Sequence, residues 1–286
     1  MAMEAPQLAI LAGLLLLTVL FAVTRLARLR FPLAGHLPYL CTLFLAFGVA
    51  EFLSFAAAVW IVALLCFIAL KEYFTLVDIR WQDRWAILGA YASIPFMIYY
   101  IQIEWYGMFI VSIPVYAFLV IPFLVALGGR EAKGSVLSIG IIDFGLFLFV
   151  YCVGHLAYLA LYGTWKALIV ILGVALSDLV AALIRPAGQP GLARTGLRCL
   201  VSIPLCAGLF WGLSNWTGIP PTHSLLLGAL TPVLASIGRY TIAYIEADLG
   251  IDRESAVPGK GRIVDTLRSF LYVSPVVFHY VRYYLG

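Results

Sequence analysis

Charge is what this 286-residue chain has least of: Asp, Glu, Lys and Arg together make up 11% of it, against about 25% in an average soluble domain. Apolar residues make up 64% and the mean hydropathy is +1.03, which leaves too little polar surface to cover a water-soluble core of this size. A soluble globular protein is thereby excluded. The composition is that of an integral membrane protein, with no nucleic-acid polymer expected as a partner. Paired cysteine motifs are missing too. Cys41, Cys66, Cys152, Cys199 and Cys206 are odd in number, lie mostly inside apolar runs and show no CxxC or CxxH spacing. They read as small buried hydrophobes and not as a disulfide framework or a zinc site. No basic stretch precedes the first apolar run, which follows Glu4, and no small-residue cleavage site ends it; it reads as a retained span and not as a signal peptide. No soluble domain, linker, low-complexity tract or internal repeat interrupts the chain.

What the chain has instead is a series of apolar runs near the length of a bilayer crossing, about 17–25 residues. They lie at about 8–24, 36–50, 53–74, 85–101, 106–127, 140–162, 165–184, 197–214 and 223–245. This predicts an all-α polytopic membrane protein of about nine transmembrane helices. Residues 1–245 would form the transmembrane domain, and residues 246–286 a cytoplasmic charged loop and interfacial helix belonging to the same domain. With the N-terminus outside, every Lys and Arg except Lys166 falls in a loop or tail on the cytoplasmic side. Basic residues resist translocation, so the expected orientation is N-terminus outside and C-terminus cytoplasmic, in a membrane such as the bacterial inner membrane. The opposite loops, "IQIEWYG", "YGTWK" and "SNWTGIPPTH", are short and rich in Trp and Tyr, as interfacial aromatic belts are.

An ionisable group at bilayer depth costs about 2.5–3.5 kcal/mol on insertion scales, so each one needs a reason. Glu51 is expected in a tight turn at the outer interface. Asp143 is expected near the cytoplasmic end of its helix, where an acid suits the helix dipole, and His155 as a hydrogen-bond donor in helix packing. Asp178, in "LGVALSDLVAALIRP", stands apart because its neighbours are all small or apolar except Ser177. It lies about two turns before the helix end at Arg185, roughly 10 Å inside at 1.5 Å per residue. Two readings are open: a structural pair with Arg185 or Arg239, or a metal or substrate ligand.

Against this background the stretch "IEADLGIDRESAVPGKGRIVDTLRSF", residues 245–270, is dense in charge. Glu246, Asp248, Asp252, Glu254 and Asp265 are interleaved with Arg253, Lys260, Arg262 and Arg268, with Arg239 just upstream. Pro258 and Gly259 mark a turn, and Gly261 leaves backbone amides open to a phosphate, with Lys260 and Arg262 beside them. A basic skirt on an anionic leaflet explains the bases but not the acids. Interleaved carboxylates and cations suit a site that holds Mg²⁺ and a polyphosphate together. Beyond it, "DTLRSFLYVSPVVFHYVRYYLG" sets Leu267, Phe270, Leu271 and Val273 at helical spacing. That predicts an interfacial helix with Arg282 snorkelling to headgroups.

These residues resemble those of the phosphatidate cytidylyltransferase (CDP-diacylglycerol synthase) family, whose C-terminal signature runs S-x-x-K-R-D-x-G-x-K-D, P-G-H-G-G and D-R-x-D. "AYIEADLGIDRESAVPGKGRIVDTLRS" is similar to it at Asp248, Gly250, Pro258, Gly259, Gly261 and Asp265. "LSDLVAALI" looks like the family segment with an intramembrane Asp, at Asp178, and "ALKEYFTL" and "IPVYAFLVIPF" are similar to runs in one bacterial branch. The resemblance implies transfer of CMP from CTP to phosphatidate, giving CDP-diacylglycerol and pyrophosphate. It implies Asp178, Asp248 and Asp265 as catalytic and Mg²⁺-binding acids, with Arg239, Arg253, Gly259, Lys260, Gly261 and Arg262 on the phosphates, and a homodimer. The chain departs from the signature where its serine falls on Ala243, its Lys-Arg pair on Glu246 and Ala247, its His on Lys260 and its final Asp on Arg268; a family Gly-Asp falls on Gly238 and Arg239. The departures keep open a degenerate member that binds lipid or a partner without turnover. A small-solute transporter is the third alternative, since intramembrane polar residues are a usual mark of transport paths.

Overall fold

The structure is a computed structural model and describes residues 5–26, 37–52, 54–128, 132–184, 192–248 and 261–285. Every apolar run named above is helical in it: α1 (Ala5–Leu26), α2 (Leu37–Phe52), α3 (Phe55–Phe74), α4 (Arg84–Gln102), α5 (Tyr106–Gly128), α6 (Ser135–Tyr162), α7 (Thr164–Leu183), α8 (Leu192–Gly212) and α9 (Pro221–Asp248). Two short helices close the chain, α10 (Arg262–Leu267) and α11 (Val273–Tyr284). No strand occurs among the described residues. Six helices, α3, α5, α6, α7, α9 and residues 195–212 of α8, are long and apolar enough to cross a membrane. Leu119, Phe123 and Leu127 on α5 and Leu197, Leu200 and Leu205 on α8 are exposed. A soluble surface rarely carries apolar belts of this kind; against lipid tails they are at home. The chain is a helical membrane protein.

Lipid tails are as apolar as leucine, so helices in a bilayer associate through close packing and small residues. α8 and α9 do so at Gly228, where a Cβ would stand 2.7 Å from both the Ala207 Cα and the Cys206 carbonyl oxygen; only glycine lets the two backbones approach this closely. α3, α6 and α7 form the centre, with Val59, Val62, Cys66, Ile142, Val150, Leu168, Val170 and Val174 fully buried. α5 and α6 each widen into a π turn, at Ser112–Ala117 and Phe147–Cys152, and the two turns touch. Pro114, in the first of them, has no backbone N–H to donate. At the end of the bundle where α6 begins, Arg80 clips two loops together. Its Nε and Nη2 donate to the two oxygens of the buried Asp83 at 2.8 and 2.9 Å, and its Nη1 donates to the Lys133 carbonyl at 2.6 Å.

The C-terminal segment corrects the expectation. An interfacial helix would lie across one end of the bundle, whereas α10 and α11 run along its length. At the near end Glu72, in the last turn of α3, accepts from the N–H groups of Ile263 at 2.9 Å and Val264 at 3.4 Å, satisfying two of the free donors at the start of α10. At the far end Arg282 reaches Tyr162, where α6 stops, and Tyr280 meets His223, where α9 begins. Between them Leu267, Phe270, Leu271, Val273, Val277, Phe278 and Val281 are buried. Amphipathic spacing reads alike whether the apolar face meets headgroups or protein, and here it meets α3, α6 and α9. Residues 261–285 are therefore part of the bundle, and Arg282, which loop counting assigned to the basic face, sits at the other end with Lys166. Gly238 permits the docking: a Cβ there would stand 2.3 Å from the Arg268 carbonyl oxygen.

This arrangement makes a topological prediction. With the partly buried native Cys41 and Cys199 replaced, single cysteines at Lys133 and at Tyr283 are expected to react with a membrane-impermeant maleimide from opposite sides of a sealed vesicle. Labelling of both from one side would contradict the course of α11.

Candidate functional site

Three separate stretches bring polar groups to one place near the end of the bundle where α6 begins. α7 carries Asp178 there, α9 carries Ser236 and Arg239 one turn apart on a single face, and the turn after α10 carries Ser269. Arg239 Nη1 pairs with Asp178 Oδ1, and Arg239 Nη2 donates to Ser236 Oγ at 2.8 Å. Ser269 Oγ donates to the same Asp178 oxygen at 2.9 Å. The two charged side chains are only 19% and 22% exposed, so each depends on the other more than a surface pair would. Of the partners expected for Asp178, Arg239 is the one it meets; Arg185 lies outside the described residues.

The other expected site residues are placed as follows. Asp265 pairs with Arg268 one turn on, at 2.9 Å. Arg262 is exposed in the first turn of α10. Gly261, just before it, has φ +84, a left-handed conformation that glycine adopts without strain. Asp248 is the exposed last residue of α9, a position the helix dipole disfavours for an acid. Arg253, Gly259 and Lys260 lie outside the described residues. Among the described residues no three His, Cys, Asp or Glu side chains gather where an ion could be held, so Asp178, Asp248 and Asp265 do not converge as a Mg²⁺ ligand set. Asp178 and Asp265 are each paired with an arginine.

Sequence reasoning missed Ser236, Ser269 and Glu72. Ser236 stands three residues before Arg239, and Ser269 next to Arg268, but a serine beside an arginine is too common to single out. Glu72 was in view within "ALKEYFTL", and only the fold turns it toward a helix start 191 residues later.

The remaining intramembrane groups divide. Glu51 is exposed at the end of α2, as expected of a turn residue. His155 Nδ1 lies 2.8 Å from the Tyr151 carbonyl; a carbonyl only accepts, so Nδ1 carries the proton, and the bond is made within α6 and not between helices. Asp143 lies deeper than expected, eight residues into α6, about 12 Å by helix rise. It is buried and neither carboxyl oxygen has a partner among the described residues. It borders an apolar cavity of ≈ 300 Å³ together with Pro114, Phe118 and Phe147.

The chain is similar to the Escherichia coli (strain K12) protein designated "Uncharacterized protein YnbB", 28% identical over 238 residues, covering 77% of this chain and 78% of that one. No family model matches the chain, and no solved structure does.

Two stability predictions follow from these side chains. Asp178→Leu and Arg239→Leu should each cost about 2–4 kcal/mol by leaving a half-buried charge unpaired. The double variant should lose less than the sum by about 1–3 kcal/mol, read from thermal melting in detergent; strict additivity would mean that the pair contributes nothing. Asp143→Leu should raise stability by about 1–3 kcal/mol, because it removes a buried carboxyl that has no hydrogen-bond partner; a lowered melting temperature would point to a partner.

Proposed function

We propose that this chain is a membrane nucleotidyltransferase that transfers CMP from CTP to phosphatidate. The observation that carries the reading is the bond from Ser269 to Asp178: the two parts of the sequence on which the family resemblance rests, around residue 178 and around residue 265, are neighbours at one end of the bundle. The basic loops gathered at that end support a cytoplasmic location for it, where CTP is, with the N-terminus outside and nine crossings before α10.

In this reaction a phosphate oxygen of phosphatidate attacks the α-phosphorus of CTP. A new P–O bond forms, the bond to the β-phosphate breaks, and pyrophosphate leaves with the electron pair. Such transfers ask little covalent chemistry of a protein; they need alignment and neutralisation of phosphate charge. Arg239, Arg262 and Arg268 are cations at this end, and a guanidinium can hold two phosphate oxygens at once. Asp178 and Asp265 then act as positioning residues that orient Arg239 and Arg268. Arg239 stands where the family carries an acid, so a side chain brings positive charge to a place that the resemblance assigns to a metal ligand.

One observation favours a second reading, lipid binding without turnover: both acids are already matched by arginines. The purified protein, given CTP and phosphatidate, separates the two. Formation of CDP-diacylglycerol and pyrophosphate is expected, with Arg239→Leu and Asp265→Asn slowing it by about a hundredfold. A folded protein that transfers no nucleotide to any phospholipid acid would end the enzyme reading, and a phosphatidate-dependent rise in melting temperature without turnover would support the second.

A further inference from the structure

At the end of the bundle opposite Asp178, where α5 begins and α6 and α11 stop, Tyr106, Tyr162, His279, Arg282 and Tyr283 line a cavity of ≈ 630 Å³. The geometry points to this cavity as a second, separate binding site for a phosphate group, carried either by a phospholipid headgroup or by a soluble phosphate compound. Along α7 from Thr164 to Asp178 the helix rise alone is about 21 Å, so this site stands independently of the nucleotidyl-transfer reading.

Arg282 is its centre. The guanidinium lies 3.6 Å over the Tyr106 ring and its Nη1 donates to Tyr162 Oη at 2.6 Å. Among the described residues no carboxylate pairs with it. A guanidinium has five N–H donors, so these contacts hold it in place and leave donors for a ligand. Because Tyr162 Oη accepts from Arg282, its own proton is free to be donated elsewhere. His279 Nδ1 lies 3.4 Å from Tyr106 Oη, which leaves its other ring nitrogen uncommitted. Tyr283 stands at the rim, 80% exposed.

The cavity is therefore walled by donors and by one uncompensated cation. Glu104, exposed in the turn before Tyr106, is the acid nearest in sequence and is not among the lining residues. Among the described lining residues a metal ion would find no carboxylate, and a purely apolar molecule would leave the guanidinium without a counter-charge. Phosphate oxygens accept and are anionic, and arginine is suited to hold two of them. The polar wall continues one layer deeper: His155, fully buried, has its ring centroid 5.1 Å from that of His279 and its Nε2 has no partner. Trp105 and Trp216, exposed at this end, match the aromatic belt of a membrane interface, which is where headgroup phosphates lie.

Titration of the full-length protein in a neutral detergent with phosphatidylglycerol, diacylglycerol, inorganic phosphate or glycerol 3-phosphate, followed by native mass spectrometry and by melting, tests the assignment. Phosphatidylglycerol is expected to bind and to raise the melting temperature, and diacylglycerol, which lacks the phosphate, is not. Binding of phosphatidylglycerol alone assigns the site to lipid; a matching response to inorganic phosphate or glycerol 3-phosphate assigns it to soluble phosphates. Arg282→Gln should weaken the binding about tenfold or more, a 1.4 kcal/mol change or larger, and Arg282→Lys should retain part of it. Tyr283→Phe, at an exposed position that folding does not depend on, should weaken it by a smaller factor, which keeps a test available if Arg282→Gln does not fold. Equal binding of diacylglycerol, no binding by any phosphate compound, or binding indifferent to both Arg282→Gln and Tyr283→Phe would overturn the assignment.

Discussion

A carboxylate carried on a membrane helix needs a partner, and in this protein the partner helps decide where the end of the chain goes. Asp178 accepts from Arg239 on α9 and from Ser269 after α10, groups 61 and 91 residues away. In a medium of low dielectric such a pair is costly to break and costly to leave half-made. Once it is made, α9 and the turn after α10 are fixed against α7. Glu72 then fixes the start of α10 against α3, and the apolar face of α11 follows into the bundle. Gly238 is the steric condition for all of this, because any larger residue would hold the Arg268 carbonyl away from α9.

The two ends of the bundle handle their few charges differently. Near Asp178 two acids, Asp178 itself and Asp265, are each paired with an arginine. At the other end Arg282 is held by tyrosines instead, through a ring face and a phenol oxygen. Arg239 and Arg268 are each oriented by an acid, whereas Arg282, balanced only by π density and a neutral oxygen, still gains from an anion. Ala243, Glu246 and Ala247, in the last turns of α9, lie toward the first end and not the second.

Asp143 is the exception to this economy. It is buried at bilayer depth beside two π turns and has no partner among the described residues. Its burial runs against the cost that a polar group incurs in hydrocarbon. The widened turns of α5 and α6 on either side of it depart from regular helix in the same neighbourhood.

Hydropathy determined, without coordinates, that this is a helical membrane protein and roughly where its helices lie, because it belongs to a continuous run of residues. The nine apolar runs and the helices α1 to α9 coincide for that reason. Arg239 could be named in advance as one of two partners for Asp178, since few cations lie near enough in depth. Tertiary structure alone brought Arg239 onto Asp178, turned Glu72 toward residues 263 and 264, and carried α11 through the bundle and not along its surface. Amphipathic spacing states that a helix has an apolar face but not what covers it. The cluster of Tyr106, Tyr162, His279 and Arg282 had no signal in the sequence at all, because its members are joined only by the parallel passage of α6 and α11, which brings the ends of two distant segments side by side.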